Sequence, residues 1–100
     1  MGEMDPVKVS PGNYKILLEN DRVRVLDMLL RPGETDDLHS HPSETVFFLQ
    51  GGTLRIHLPT GEAQEANIPD HHVMWNDAWT HRVENIGQGD VHAIIVEGKK

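Results

Sequence analysis

The stretch Gly33-Glu34-Thr35-Asp36-Asp37-Leu38-His39-Ser40-His41-Pro42-Ser43-Glu44 carries the densest chemistry in the chain. In an extended strand residues two apart point to the same side, with Cα atoms about 6.5 Å apart. His39 and His41 therefore present both rings to one side, where bonds of about 2.0 to 2.1 Å could close on a single ion. Pro42-Ser43 turns the chain, and Glu44 opens the next segment with Val46 and Phe48 on its own face. If that segment pairs with the histidine strand, a carboxylate stands beside two imidazoles. Imidazole with carboxylate suits Fe(II), Mn, Ni, Zn or Cu, and spacing does not choose among them.

Outward from this stretch the punctuation is regular. Turn signals fall at Asn20-Asp21, Arg31-Pro32-Gly33, Gly51-Gly52, Pro59-Thr60-Gly61, Pro69-Asp70, Asn76-Asp77 and Gly87-Gln88-Gly89-Asp90, at the spacing of about 8 to 12 residues that marks a chain of short strands. Between them Leu54, Ile56 and Leu58 alternate with Thr53, Arg55 and His57, and Val23 and Val25 with Arg22 and Arg24. Alternation is the signature of half-buried strands, and no helical period persists over ten residues. The reading is all-β, an antiparallel sandwich or jelly-roll barrel with no obligatory helix. Leu26 to Leu30 is apolar apart from Asp27, as in a bulge or a strand covered on both faces, the second cover being a partner subunit. Residues 1–13, with Pro6, Pro11 and Gly12, form an N-terminal arm that is either loose or pairs with something late. Residues 14–100 form one domain.

A second cluster is His81-Arg82-Val83-Glu84-Asn85, where His81, Val83 and Asn85 share a face, so this segment could supply one more ligand. Gly33, five residues, His39-x-His41, Glu44, six residues and Gly51 resemble the first motif of the cupin family, and His81-x-x-x-Asn85 resembles the end of its second. The likeness spans about residues 22 to 97. The wording Asn20-Asp21-Arg22-Val23-Arg24-Val25 and His81-Arg82-Val83-Glu84-Asn85-Ile86-Gly87 further resembles small single-domain bacterial cupins associated with β-alanine degradation. The resemblance implies a double-stranded β-helix, a dimer, and a metal held by His39, His41, Glu44 and His81. Two departures stand out: two residues, not three or four, separate His41 from Glu44, and Asp70, Asn76 and Ala78 replace the Gly, Pro and Gly of the second motif.

Composition narrows the function classes. One hundred residues fit one domain. The absence of Cys excludes disulfides, thiolate metal sites and a cysteine nucleophile. A net charge of −7, from 16 acidic and 9 basic residues without a basic stripe, argues against nucleic acid. Apolar runs such as Thr45 to Leu49 and Ala93 to Val96 are far short of the roughly 18 residues that span a bilayer. The N-terminus lacks a basic-then-apolar leader, and Pro6 stands where myristoylation wants Ser or Thr. A cytoplasmic protein without a membrane partner is expected.

The remaining candidates divide by face. Val46, Phe48, Trp79 and Val83 are expected to line the pocket, while Phe47 and Leu49 face the other way. Trp75 and Trp79 are either core aromatics at one barrel end or a hydrophobic lid over the metal. His71 and His72 read as an exposed turn pair, His57 as outward, and His92 as facing either way. Arg24, Arg55 and Arg82 would suit a substrate carboxylate, but all three alternate outward. No Ser/His/Asp triad or paired carboxylates stand out. The expectation is a homodimeric, divalent-metal-dependent enzyme of oxygenase, isomerase or lyase type acting on a small polar metabolite. The alternatives are a non-catalytic small-ligand binding or regulatory module and a metal-free structural barrel, since fold alone does not settle function.

Overall fold

The computed structural model describes residues 4–99. The punctuated alternation resolves into one helical turn and nine strands: α1 (Pro6–Val9), β1 (Tyr14–Glu19), β2 (Val23–Leu30), β3 (His39–His41), β4 (Glu44–Gln50), β5 (Gly52–His57), β6 (Ala63–Ile68), β7 (Val73–Asn76), β8 (Trp79–Asn85) and β9 (Val91–Gly98). They form a five-stranded sheet in the order β1-β2-β9-β4-β7 and a four-stranded sheet in the order β3-β8-β5-β6. All pairings within them are antiparallel.

The core fills the space between the sheets. Leu26, Met28 and Leu30 of β2, Val46 and Phe48 of β4, and Val91, Ala93 and Ile95 of β9 face Leu54 of β5 and Val83 of β8. Burying each such side chain contributes roughly 1.5 to 3 kcal/mol for the larger members. Gly51, between β4 and β5, is required by close approach: a Cβ there would lie 2.0 Å from the Ile68 carbonyl oxygen. Asn85 is fully buried and fastens the barrel end, its Nδ2 donating to the carbonyls of Leu30 (2.9 Å) and Gly89 (2.8 Å) and its Oδ1 accepting from Gly87 N (3.0 Å).

Three expectations change, and one left open between two readings is decided. Arg24 points inward, 2% exposed, on the β2 face that also carries Leu26, Met28 and Leu30. Val23 and Val25 take the outer face, because Asp5 and Glu97 compensate the buried guanidinium. The segment opened by Glu44 does not pair with the histidine strand: β3 pairs only with β8, and Pro42-Ser43 carries the chain across to the opposite sheet. Trp75 is 59% exposed on the outer face rather than in a core, since Met74 and Asn76 take the inner positions of β7. Finally, the described part of the arm is tied down. Asp5 caps α1 by accepting from Val7 N (3.0 Å), Met4 O accepts from Ser40 N (2.7 Å) and Ser10 Oγ from Asp37 N (2.7 Å). Residues 1–3 and Lys100 lie outside the described residues.

Candidate metal centre

Antiparallel pairing of β3 with β8 places His39 directly opposite His81 and His41 opposite Trp79. Because residues two apart share a face, all three imidazoles turn to the barrel interior. Ring centroids lie 4.6 Å apart for His39 and His41, 4.7 Å for His39 and His81, and 5.4 Å for His41 and His81. One ligating nitrogen from each ring lies within 4.8 Å of the others, and all three residues are buried.

Two of the rings are oriented from behind. His39 Nδ1 donates to the Asp37 carbonyl (2.7 Å), and His41 Nδ1 donates to Glu97 Oε2 (2.6 Å). Each bond fixes the tautomer and leaves Nε2 with its lone pair free, the arrangement by which outer groups orient metal-bound histidines. His81 differs: neither Nδ1 nor Nε2 has a hydrogen-bond partner among the described residues, and neither does Glu44 Oε1. Burying polar atoms without partners is costly. A cation among the three imidazoles would take one of the two unpartnered His81 nitrogens, so the donor set fits a divalent metal. Burial disfavours the charged ring, pushing His39 down to about 4 and His81 to about 2, which keeps both neutral and competent as ligands at neutral pH.

Glu44 stands outside the three-histidine group. Its Oε2 accepts from Trp79 Nε1 (2.9 Å) and Asn76 Nδ2 (3.1 Å), and its Oε1 lies 3.5 Å from His41 Nδ1. In the ladder Glu44 sits opposite Glu97, so two buried carboxylates flank one imidazole N–H. This pair, invisible as spacing in the sequence, is stabilised from the other side. Arg24 Nε donates to Glu97 Oε1 (2.9 Å), and its two terminal nitrogens donate to Asp5 (2.9 Å each).

Tyr14 is a further residue the sequence reading missed. Its buried hydroxyl donates to Asp36 Oδ2 (2.7 Å) and stands 3.3 Å from His39 Nε2. Asp36 also accepts from Val83 N (2.7 Å), and burial pushes its carboxyl up to about 6 against the pull of these bonds. As the only Tyr, at the first position of its strand, it gave no periodic signal.

His41 and His81 open on a cavity of about 60 Å³ lined mainly by apolar side chains, among them Val46, Phe48, Trp79 and Val83, with Tyr14 and Glu44 also in its wall. Trp79 lies against His81, ring centroids 4.0 Å apart. The other histidines are elsewhere: His57 pairs with Glu84 (3.0 Å), His92 with Asp27 (2.9 Å) on the outer face, His71 is exposed on a turn at φ 66°, and His72, expected to be exposed with it, is half-buried near Phe48. Arg55 and Arg82 also point away from the cavity, toward Glu65 (2.8 Å) and Thr35 Oγ1 (2.8 Å). No helix among the described residues is long and apolar enough to cross a membrane.

No protein-family model matches the chain, and no curated protein matches it in sequence. Solved structures match in shape. A cupin domain from Bordetella pertussis Tohama I superposes with a TM-score of 0.79 at 20% identity, covering 87% of this chain and 92% of that one. An RmlC-like cupin family protein with a double-stranded β-helix fold from Methanocaldococcus jannaschii gives 0.68 at 14% identity, covering 86% and 78%. A protein from Thermotoga maritima described as a predicted oxalate decarboxylase gives 0.62 at 23% identity, covering 87% and 79%. These identities establish the fold, and the chemistry rests on the residues above.

Proposed function

We propose that this chain, whose fold is the cupin double-stranded β-helix, holds one divalent metal ion through His39, His41 and His81, with Glu44 beside the ion, and acts as a metal-dependent enzyme on a small ligand. The observation that carries the reading is the buried His81 ring, which has no partner for either nitrogen among the described residues. When bound, the metal would supply Lewis acidity toward a bidentate small molecule or O₂. The chain supplies the rest. Glu44 is held by Trp79 and Asn76 with one oxygen free, and Tyr14 can pass a proton between a ligand at the histidines and Asp36. The cavity volume of about 60 Å³ and its apolar walls favour a ligand of a few heavy atoms with a polar head and a short apolar body. Support for a place in β-alanine or related amino-acid catabolism comes from the wording of residues 20–25 and 81–87. The second reading, a non-catalytic binding module, is favoured by the scarcity of general acid and base groups beyond the histidines, Glu44 and Tyr14 in the wall of that cavity. A homodimer and a cytoplasmic location belong to the same proposal; the dimer is supported by the apolar outer face of the five-stranded sheet.

The test is elemental analysis of protein purified without added metal, beside His39→Ala and His81→Ala. About one metal per wild-type chain, lost in both variants, is expected. Wild type with far less than one, or variants that keep it, would overturn the metal centre. Turnover or substrate-dependent O₂ uptake that disappears on metal removal separates the enzyme from the binding module.

A further inference from the structure

The four-stranded sheet holds two of the three site histidines on its shortest strand. β3 is three residues long and hydrogen-bonded to β8 along one edge. Its other edge is covered by the N-terminal arm, where Met4 O accepts from Ser40 N, the residue between His39 and His41. From the same arm a buried ionic chain runs to the site: Asp5 to Arg24 (2.9 Å), Arg24 to Glu97 (2.8 Å), Glu97 to His41 Nδ1 (2.6 Å). None of the four is more than 6% exposed. Burial pushes the Asp5 carboxyl up, and its bonds to Arg24 and Val7 N more than reverse this, holding it ionised.

We infer that the N-terminal arm is a working part of the metal centre: through Asp5, Arg24 and Glu97 it orients His41 and sets how tightly the site binds a divalent cation. The inference rests on the metal-site reading above and adds its control. Beside Glu44, which stands 3.5 Å from the same Nδ1, the chain of Asp5, Arg24 and Glu97 adds a net single negative charge behind His41, in a buried setting where charges are weakly screened. That charge fixes the proton on Nδ1 and turns the Nε2 lone pair toward His39 and His81. Glu97 is a positioning residue in direct contact with the ligand. Asp5 acts one step further out: without its charge the Arg24–Glu97 pair is neutral, and the field at His41 drops. Arg24 keeps Glu97 from standing as an uncompensated carboxylate opposite Glu44.

The experiment is titration of the full metal-free chain with Co²⁺, read by the visible d–d absorption and by competition with Zn²⁺. It compares wild type, Glu97→Gln, Asp5→Asn and, as a surface control, Glu65→Gln, with a thermal melt of each metal-free protein. Outer groups of this kind are worth about 10- to 100-fold in metal affinity. Glu97→Gln is expected to weaken binding by that range and to shift the Co²⁺ spectrum, Asp5→Asn to weaken it several-fold, and Glu65→Gln to change neither. If Glu97→Gln does not fold, Asp5→Asn decides. Variants that melt as folded proteins yet bind as tightly as wild type, with the same spectrum, overturn the inference while leaving the metal centre standing. A wild type that binds no Co²⁺ or Zn²⁺ overturns both.

Discussion

His81 lies directly opposite His39 in the β3–β8 ladder, yet only His39 has a protein partner for a ring nitrogen. The strand pairing thus brings a satisfied and an unsatisfied imidazole to one point. A ring buried without partners lowers stability in the metal-free state, because its desolvation is uncompensated. A buried group that costs stability in the metal-free state is what a functional site looks like.

His81→Leu should therefore separate stability from function. The substitution fills most of the ring's volume and removes both unpaired nitrogens, so the metal-free variant should be as stable as wild type or up to about 1 kcal/mol more stable. Metal binding should be abolished. Urea unfolding of both proteins in chelator checks the first statement and metal stoichiometry the second. A loss above about 2 kcal/mol would mean that packing of the ring against Trp79 outweighs its desolvation.

Acid should destabilise the metal-free protein. Burial holds His39 near 4 and His81 near 2 in the folded state, whereas both titrate near 6.5 when unfolded. As pH falls from about 6.5 to 4 the unfolded chain therefore takes up protons at these two rings that the folded chain refuses. Asp36 works in the opposite sense, since its folded carboxyl, pushed up to about 6, binds a proton that the unfolded one does not. The balance is about one proton in favour of the unfolded state, a slope of about 1.4 kcal/mol per pH unit. Denaturant unfolding in chelator at pH 7.5, 6 and 5 should show stability falling across that window. Stability that is flat or rises on acidification would place the protons on the folded rings.

Asn85 makes a purely structural prediction. Its side chain serves two carbonyls and one amide where β2, β8 and the β8–β9 loop meet. Asn85→Leu leaves those backbone groups without partners and should cost about 2 to 4 kcal/mol, lowering the denaturation midpoint with little change in slope. Metal stoichiometry of the folded fraction should stay at the wild-type value, because none of the three bonds touches a histidine.

The three histidines and Asn85 were legible because both determinants are local: a period of two puts His39 and His41 on one side and His81 and Asn85 on another strand's inner face. The supports were not. Arg24 and Glu97 are 73 positions apart, and the alternation of Val23 and Val25 with Arg24 set the phase of β2 the wrong way, because Leu26, Met28 and Leu30 share the face of Arg24. A charged residue is assigned to solvent by default, and only the tertiary pairing of β2 with β9 shows that Arg24 meets Glu97 inside. Glu44 was legible as a residue of the site but not in its setting, since the sequence could not show that Pro42-Ser43 crosses between sheets. Trp75 was misplaced for a related reason. Its outer face is apolar enough to read as core.

That outer face carries the last prediction. Cross-strand register aligns Leu18, Val25, Val96, Thr45 and Trp75 in one row across all five strands, and Asp27, Ile94, Phe47 and Val73 in the next. Leu18, Val96, Trp75 and Val73 are between 37% and 59% exposed, an apolar surface of the kind that marks an interface. A second copy packed face to face about a two-fold axis meets the same rows on its partner, as isologous contacts require. β9 is the central strand, so Val96 would lie near that axis and Val96→Lys would bring two like charges together. Wild type should sediment as a dimer at micromolar concentration, and Val96→Lys should raise the dissociation constant at least about tenfold, equivalent to about 1.4 kcal/mol. Since Val96 points away from the cavity, metal binding per chain should be unchanged. A monomeric wild type overturns the dimer, and a variant that dimerises as tightly as wild type moves the interface to another face.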